Sequence, residues 1–236
     1  MKNYFLKIGK QTLSFFDYIG GLTRLFVETI LWIFVPPIKR ERIFEQSVKI
    51  GLDSLLIVSL VALFTGMIMA LQTAYLMQKL SSEIYIASIV ALSLTRELGP
   101  VLTALIVAGR CGAAITAEIG TMTVTEQVDA LRTLATDPVK YLVVPRFIAF
   151  TFMLPVLTIY ADLIGILGGY FICVNRLSIS PGMYMATTFQ TLISKDVLTG
   201  LIKTIFFGMI ISLVACYEGL KAEGGAEGVG KSTTAS

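Results

Sequence analysis

The sequence has 236 residues, of which 55% are hydrophobic and only 15% charged, and its net charge is +3. A soluble domain carries about 25% charged residues, and here the mean hydropathy is +0.79. The composition therefore argues against a soluble protein and leaves no basic footprint for nucleic acid. Histidine is absent, which removes His-activated nucleophiles and His-ligated metals. Cys111, Cys173 and Cys216 lie far apart in or beside apolar stretches, as buried small hydrophobes do. No metal or cofactor is expected.

Residues 13–35, "LSFFDYIGGLTRLFVETILWIFV", are apolar but interrupted by Asp17, Arg24 and Glu28 and closed by Pro36-Pro37. That pattern predicts a helix lying in the membrane interface. Nothing before it has the apolar core and small-residue cleavage site of a signal peptide. Four runs then reach the roughly 20 residues needed to cross a bilayer: 52–71, 84–107, 147–174 and 197–217. The third holds Pro155, so tilt or a kink is expected.

Between the second and third runs, residues 113–137 place Ile115, Ile119 and Met122, then Val124, Val128 and Leu131, at helical spacing. Glu118, Glu126, Asp129 and Arg132 take other faces, which predicts one or two amphipathic helices ending at Asp137-Pro138. Such a segment either rests on the membrane surface or docks a soluble partner. Lys and Arg outside the runs number fourteen on the side of the N-terminus, the stretch between the second and third runs and the tail, against Lys79, Arg176 and Lys195 on the other. The positive-inside rule places the first side in the cytoplasm.

Charges inside the runs are costly and mark function or inter-helix locking. Arg96 and Glu97 lie midway along the second run before Gly99-Pro100, Asp162 in the third, and Lys203 in the outer part of the fourth. Arg96 and Glu97 are adjacent, so each is expected to reach a different neighbour. Ala104, Ala108 and Gly112, and likewise Gly109, Ala113 and Ala117, repeat every four residues; small faces of this kind pack helices within a chain or between copies.

The tail reads "GAEGVGKS" from Gly225 to Ser232, a complete P-loop pattern. A working P-loop joins a buried strand to a helix whose N-terminus faces the phosphates. Here a membrane run precedes it, and the four residues after Ser232 are too few for such a helix. The pattern is therefore read as coincidence, without ATP hydrolysis by this chain.

The strings "SLTRELGPVLTALIVAGRCGAAITAEIGTMTVTEQVDAL", "DPVKYLVVPR" and "GAEGVGKSTT" resemble the MlaE-type permeases, membrane subunits of bacterial Mla and Mce ABC systems that move lipids. The similarity extends over most of the chain. It implies an all-α membrane permease with an interfacial helix followed by membrane helices, pairing with a second copy of itself in the inner membrane. It also implies a cytoplasmic ABC ATPase subunit, a periplasmic MCE-domain protein and often a STAS-domain protein as partners. On this resemblance Glu118, Glu126, Gln127 and Asp129 belong to the element coupling to the ATPase. Arg96, Glu97 and Lys203 fall where the family places polar residues near the lipid pocket. The family commonly has Arg-Ala or a similar pair at Lys231-Ser232, and it continues into a fifth membrane span, so the expectation is a chain lacking that last span. The cargo expected is phospholipid. Another hydrophobic cargo such as sterol, and a non-transporting scaffold, are the alternatives; a scaffold leaves the mid-membrane charges unexplained. An intramembrane enzyme finds no nucleophile–base set.

Overall fold

The computed structural model describes residues 2–37, 39–80 and 82–236, with only the backbone described for 2–8 and 11. Its regular structure is helical, with no strand among the described residues. Helix α1 (Lys2–Ile33) comes first, starting earlier than the apolar pattern and ending before Pro36-Pro37. Helix α2 (Arg40–Lys79) is one unbroken element, long enough at about 1.5 Å per residue to cross the hydrocarbon core and project beyond it. The second crossing, Glu83–Val124, is a continuous helical run of several pieces. After a 3₁₀ turn (Glu83–Tyr85), α3 (Ile86–Ser93), α4 (Gly99–Val107) and α5 (Ala113–Val124) are joined through π turns at Leu94–Leu98 and Ala108–Gly112. Short α6 (Gln127–Thr133) follows, then a π turn (Val139–Val143) leading into α7 (Val144–Leu177), which continues through Pro155. Helix α8 (Pro181–Thr191), α9 (Ser194–Leu220) and α10 (Gly225–Ala235) complete the chain. Four of these runs are long and apolar enough to cross a membrane.

The packing separates into two compact units, one of residues 45–111 and 149–209, the other of residues 1–44, 112–148 and 210–236. In the first, α2 turns small residues inward: Ser54, Val58, Ala62, Gly66, Ala70 and Ala74 recur every fourth position and are buried. Leu52, Leu56, Leu60, Phe64 and Ile68 face outward. Large apolar residues outside and small ones inside suit lipid, where helices associate by close packing rather than by escaping water. The closest approaches need glycine. A Cβ on Gly66 would fall on the Gly165 carbonyl, and one on Gly168 on the Leu63 carbonyl. Tyr184 of α8 is fully buried beside Ala74, Val90 and Cys173. Its hydroxyl donates to the Ile166 carbonyl at 3.2 Å, and its ring meets Tyr170 edge-on at 5.6 Å. Burial raises the Tyr184 phenol pKa well above its ordinary value, so it stays the donor this bond requires.

In the second unit α1, α5, α9 and α10 pack together. Tyr18 meets Tyr217 edge-on at 5.2 Å, and its pKa is pushed up to about 12 by burial, with Glu218 adding to the shift. Ile119, fully buried, sits where Gly219 leaves space, and Gly120 faces Ala222 and Val229. Thr116 and Thr123 donate to the carbonyls of Ala215 and Gly219, each at 3.1 Å. The 113–137 stretch is thus divided. Its first half, α5, prolongs the second helical run and is packed on one face, whereas α6 follows a break at Glu126. Ile115 and Ile119, read from the sequence as an apolar stripe, are the residues that this packing buries.

The tail also departs from expectation. The P-loop pattern lies within α10, so a helix does form, and it begins at the pattern's first glycine rather than after Lys231-Ser232. Gly224 and Gly225, at φ +85° and +70°, turn the chain out of α9, a left-handed conformation suited to glycine. Packing of Val229 on α5 supports this short helix, which would be marginal alone. Only the first turn of a helix offers free N–H groups, and Lys231 and Ser232 lie beyond it. Lys231 instead pairs with Glu227 at 2.9 Å on an exposed face. The conclusion against a P-loop therefore stands on a different reason.

Candidate functional site: a charged cluster at a π turn

Gly99 opens α4 by donating its N–H to the Leu94 carbonyl five residues back. Pro100 has no N–H to continue the ladder, so a carbonyl in the preceding turn must find another donor. Lys203 supplies one: its ammonium donates to the Arg96 carbonyl at 2.9 Å and pairs with Glu97 Oε2 at 2.7 Å. The ammonium reaches this turn because Gly200, one turn earlier on α9, lies so close to the Thr95 carbonyl that a Cβ would not fit. Arg96 points to another partner, its Nη1 standing 3.7 Å from Asp196 Oδ1. The π turn thus directs two adjacent charges to two different residues of α9.

The four charges form two opposite-sign pairs, which lowers the cost of holding them within membrane-crossing helices. The Arg96 and Glu97 side chains are nevertheless 46% and 65% exposed on this chain. A guanidinium and an ammonium suit phosphate oxygens. Beside the cluster, Asp162 of α7 is buried and its Oδ1 has no hydrogen-bond partner. That oxygen occupies the place a Cβ of residue 99 would take, which is a packing reason for glycine there.

The structure brings Arg96, Glu97 and Lys203 together. Asp196 was missed in the sequence, although Asp196, Gly200 and Lys203 fall at helical spacing on one face of α9. The four residues on the 113–137 stretch are not equivalent. Glu118 on α5 pairs at 2.8 Å with Arg146, a buried cation that also donates to the Leu142 carbonyl at 2.8 Å. Glu126, Gln127 and Asp129 are exposed around the α5–α6 break. Glu126 takes a left-handed φ of 60°, Gln127 donates to the Thr125 hydroxyl at 3.1 Å, and Asp129 pairs with Arg132 at 2.8 Å. The small faces named from the sequence are not the tightest contacts: Gly109 faces open space and Gly112 makes an ordinary contact with Ile211 at 3.5 Å. No group of three or more metal-ligating side chains occurs among the described residues.

Apolar crossing helices that hold a paired set of accessible charges within their length define an α-helical membrane transport subunit. The chain belongs to the MlaE permease family, whose model (Permease MlaE) matches residues 43–236. It is 47% identical over 227 residues to a probable ABC transporter permease protein of Rickettsia prowazekii, covering 96% of this chain and 88% of that one. It is 43% identical over 207 residues to a probable ABC transporter permease protein of Synechocystis, covering 88% and 79%. The intermembrane phospholipid transport system permease protein MlaE of Haemophilus influenzae is 37% identical over 235 residues, covering 98% of this chain and 89% of the relative. This chain is a permease subunit of an ABC transporter.

Proposed function

We propose that this permease moves phospholipids between the inner and outer membranes of a Gram-negative-type envelope. The observation that carries the reading is the charged cluster of Arg96, Glu97, Lys203 and Asp196, accessible within otherwise apolar crossing helices. A phospholipid needs both features, an apolar wall for its chains and cations for its phosphate. The name of the Haemophilus relative supports the same cargo. In this reading Arg96 and Lys203 meet the headgroup, and Glu97 and Asp196 hold them when no lipid is bound.

The permease sits in the inner membrane with its N-terminus in the cytoplasm, as the distribution of Lys and Arg argues. It works as a pair of copies with a cytoplasmic ABC ATPase, a periplasmic MCE-domain protein and a STAS-domain protein. Glu126, Gln127 and Asp129, exposed at the α5–α6 break, meet the ATPase, and Glu118 steadies that region through Arg146. Reversing Glu126 and Asp129 together releases the ATPase in a pull-down while the permease stays in the membrane; retained, coupled ATPase refutes this assignment.

The cargo reading is tested in proteoliposomes holding the reconstituted complex. Arg96→Ala or Glu97→Ala lowers ATP-driven phospholipid transfer without lowering the amount of complex. A purely locking role gives less complex with normal transfer per complex. A photocrosslinker beside Arg96 captures phospholipid in the active complex, and failure to do so removes the cluster from the lipid path.

A further inference from the structure

A second accessible group of cations lies in the unit built from residues 1–44, 112–148 and 210–236, around a cleft of about 360 Å³. Its walls are the end of α1 at Trp32, the turn through Lys39 into α2 at Arg42, and the stretch from Asp137 to Tyr141 that opens the third crossing. The Arg42 guanidinium carbon lies over the Tyr141 ring, 3.4 Å from its centre, and its Nη2 donates to the Tyr141 hydroxyl. The Lys140 ammonium stands 5.0 Å from the centre of the Trp32 ring. Aromatic faces hold cations in this way without neutralising them.

The cleft's one carboxylate offsets only one of the three cations. Asp137 Oδ1 accepts from the backbone N–H groups of Val139 and Lys140, at 2.8 and 3.2 Å, and so caps the π turn. Lys39, Arg42 and Lys140 have no ion-pair partner among the described residues. Three cations therefore face one cleft with a single acid, a formal excess of two positive charges. A guanidinium held by one hydrogen bond at a ring face keeps its remaining N–H donors in a rigid fork, the geometry that grips a phosphate. We propose that this cleft is a binding site for the phosphate headgroup of an anionic phospholipid.

The choice of a lipid over a free phosphate rests on the surroundings. Phe34 and Val35, just before the turn, and Phe44, two residues after Arg42, are exposed at 79%, 43% and 72%. All three lie at the ends of membrane-associated helices, where acyl chains would meet them. Basic pockets between membrane helices recognise anionic headgroups for this combination of reasons.

The single tryptophan of the chain, Trp32, lies in the cleft and serves as the reporter. The full-length protein is placed in nanodiscs of neutral phosphatidylcholine and titrated with phosphatidylglycerol brominated near the headgroup end of its chains. Brominated phosphatidylcholine is the control, and a Trp32→Phe sample gives the background. Half-maximal quenching is expected at a roughly thirtyfold lower mole fraction of the anionic lipid, the order set by an excess of two positive charges beside one headgroup. R42Q/K140Q abolishes the preference, and millimolar inorganic phosphate leaves it in place. Equal quenching of the wild-type protein by the two lipids overturns the proposal without any variant having to fold. A preference lost to inorganic phosphate alone assigns the cleft to a soluble phosphate and also overturns it. The cleft contains none of the Arg96 cluster, so phospholipid transfer can fail the test above while this preference persists.

Discussion

Gly66→Ala adds one methyl group at the place where α2 lies closest to α7. Its Cβ would fall on the Gly165 carbonyl oxygen and stand 2.6 and 2.9 Å from the Gly165 carbonyl carbon and Cα. These are backbone atoms inside a helix and cannot turn aside. Ordinary contact begins at 3.4 Å, so the helices must separate by roughly 1 Å, loosening the neighbouring Gly168–Leu63 approach as well. Overpacking of this kind costs about 1–3 kcal/mol, and replacing glycine by alanine in a helix returns about 1 kcal/mol. A net loss of up to about 2 kcal/mol is expected, a fall in Tm of up to roughly 8 °C by the scaling for a chain of this length. Gly20→Ala makes the same chemical change on α1, where nothing lies within 4 Å, and should raise Tm by a few degrees or leave it unchanged. Cys111, Cys173 and Cys216 are free and buried, so a thiol-reactive fluorophore reports unfolding of the detergent-solubilised protein on heating. Gly66→Ala as stable as Gly20→Ala would refute the close-packing argument.

Arg146→Ala should destabilise by about 1–3 kcal/mol, because it removes a buried cation that donates to Glu118 and to the Leu142 carbonyl; the same thiol assay reads this, and wild-type stability would show that these bonds contribute nothing. Tyr184→Phe loses the hydrogen bond to the Ile166 carbonyl while keeping the ring, a cost of about 1 kcal/mol, visible as a lower melting temperature with no change in membrane insertion. Lys231→Ala removes an exposed pair with Glu227 worth well under about 1 kcal/mol and should leave stability unchanged. Neither the wild-type subunit nor that variant should bind a fluorescent ATP analogue, and saturable binding lost in Lys231→Ala would restore the P-loop reading.

The membrane class and the four crossings were legible because a run of apolar residues long enough to span a bilayer is a local property of composition. Arg96, Glu97 and Lys203 stood out for the same reason, each being a charge where its neighbours are apolar. The extent of the second helical run was not legible. Hydropathy falls away after Val107 through Gly109, Arg110 and the alanines and threonines of α5, and only packing against α9 and α10 shows that the helix continues. Nor was the helix of α10, whose glycine-rich sequence disfavours it and whose support comes from Gly120. Asp196 looked like an ordinary charge at the start of a helix. Its pairing with Arg96 depends on how closely Gly200 lets α9 approach the Thr95 carbonyl, and on a π turn that aims two adjacent side chains at different partners. The sequence by itself determined which segments prefer lipid, since transfer from water depends on each side chain separately. Which charges meet was decided by the tertiary structure, because that depends on separations of about an ångström between segments a hundred residues apart.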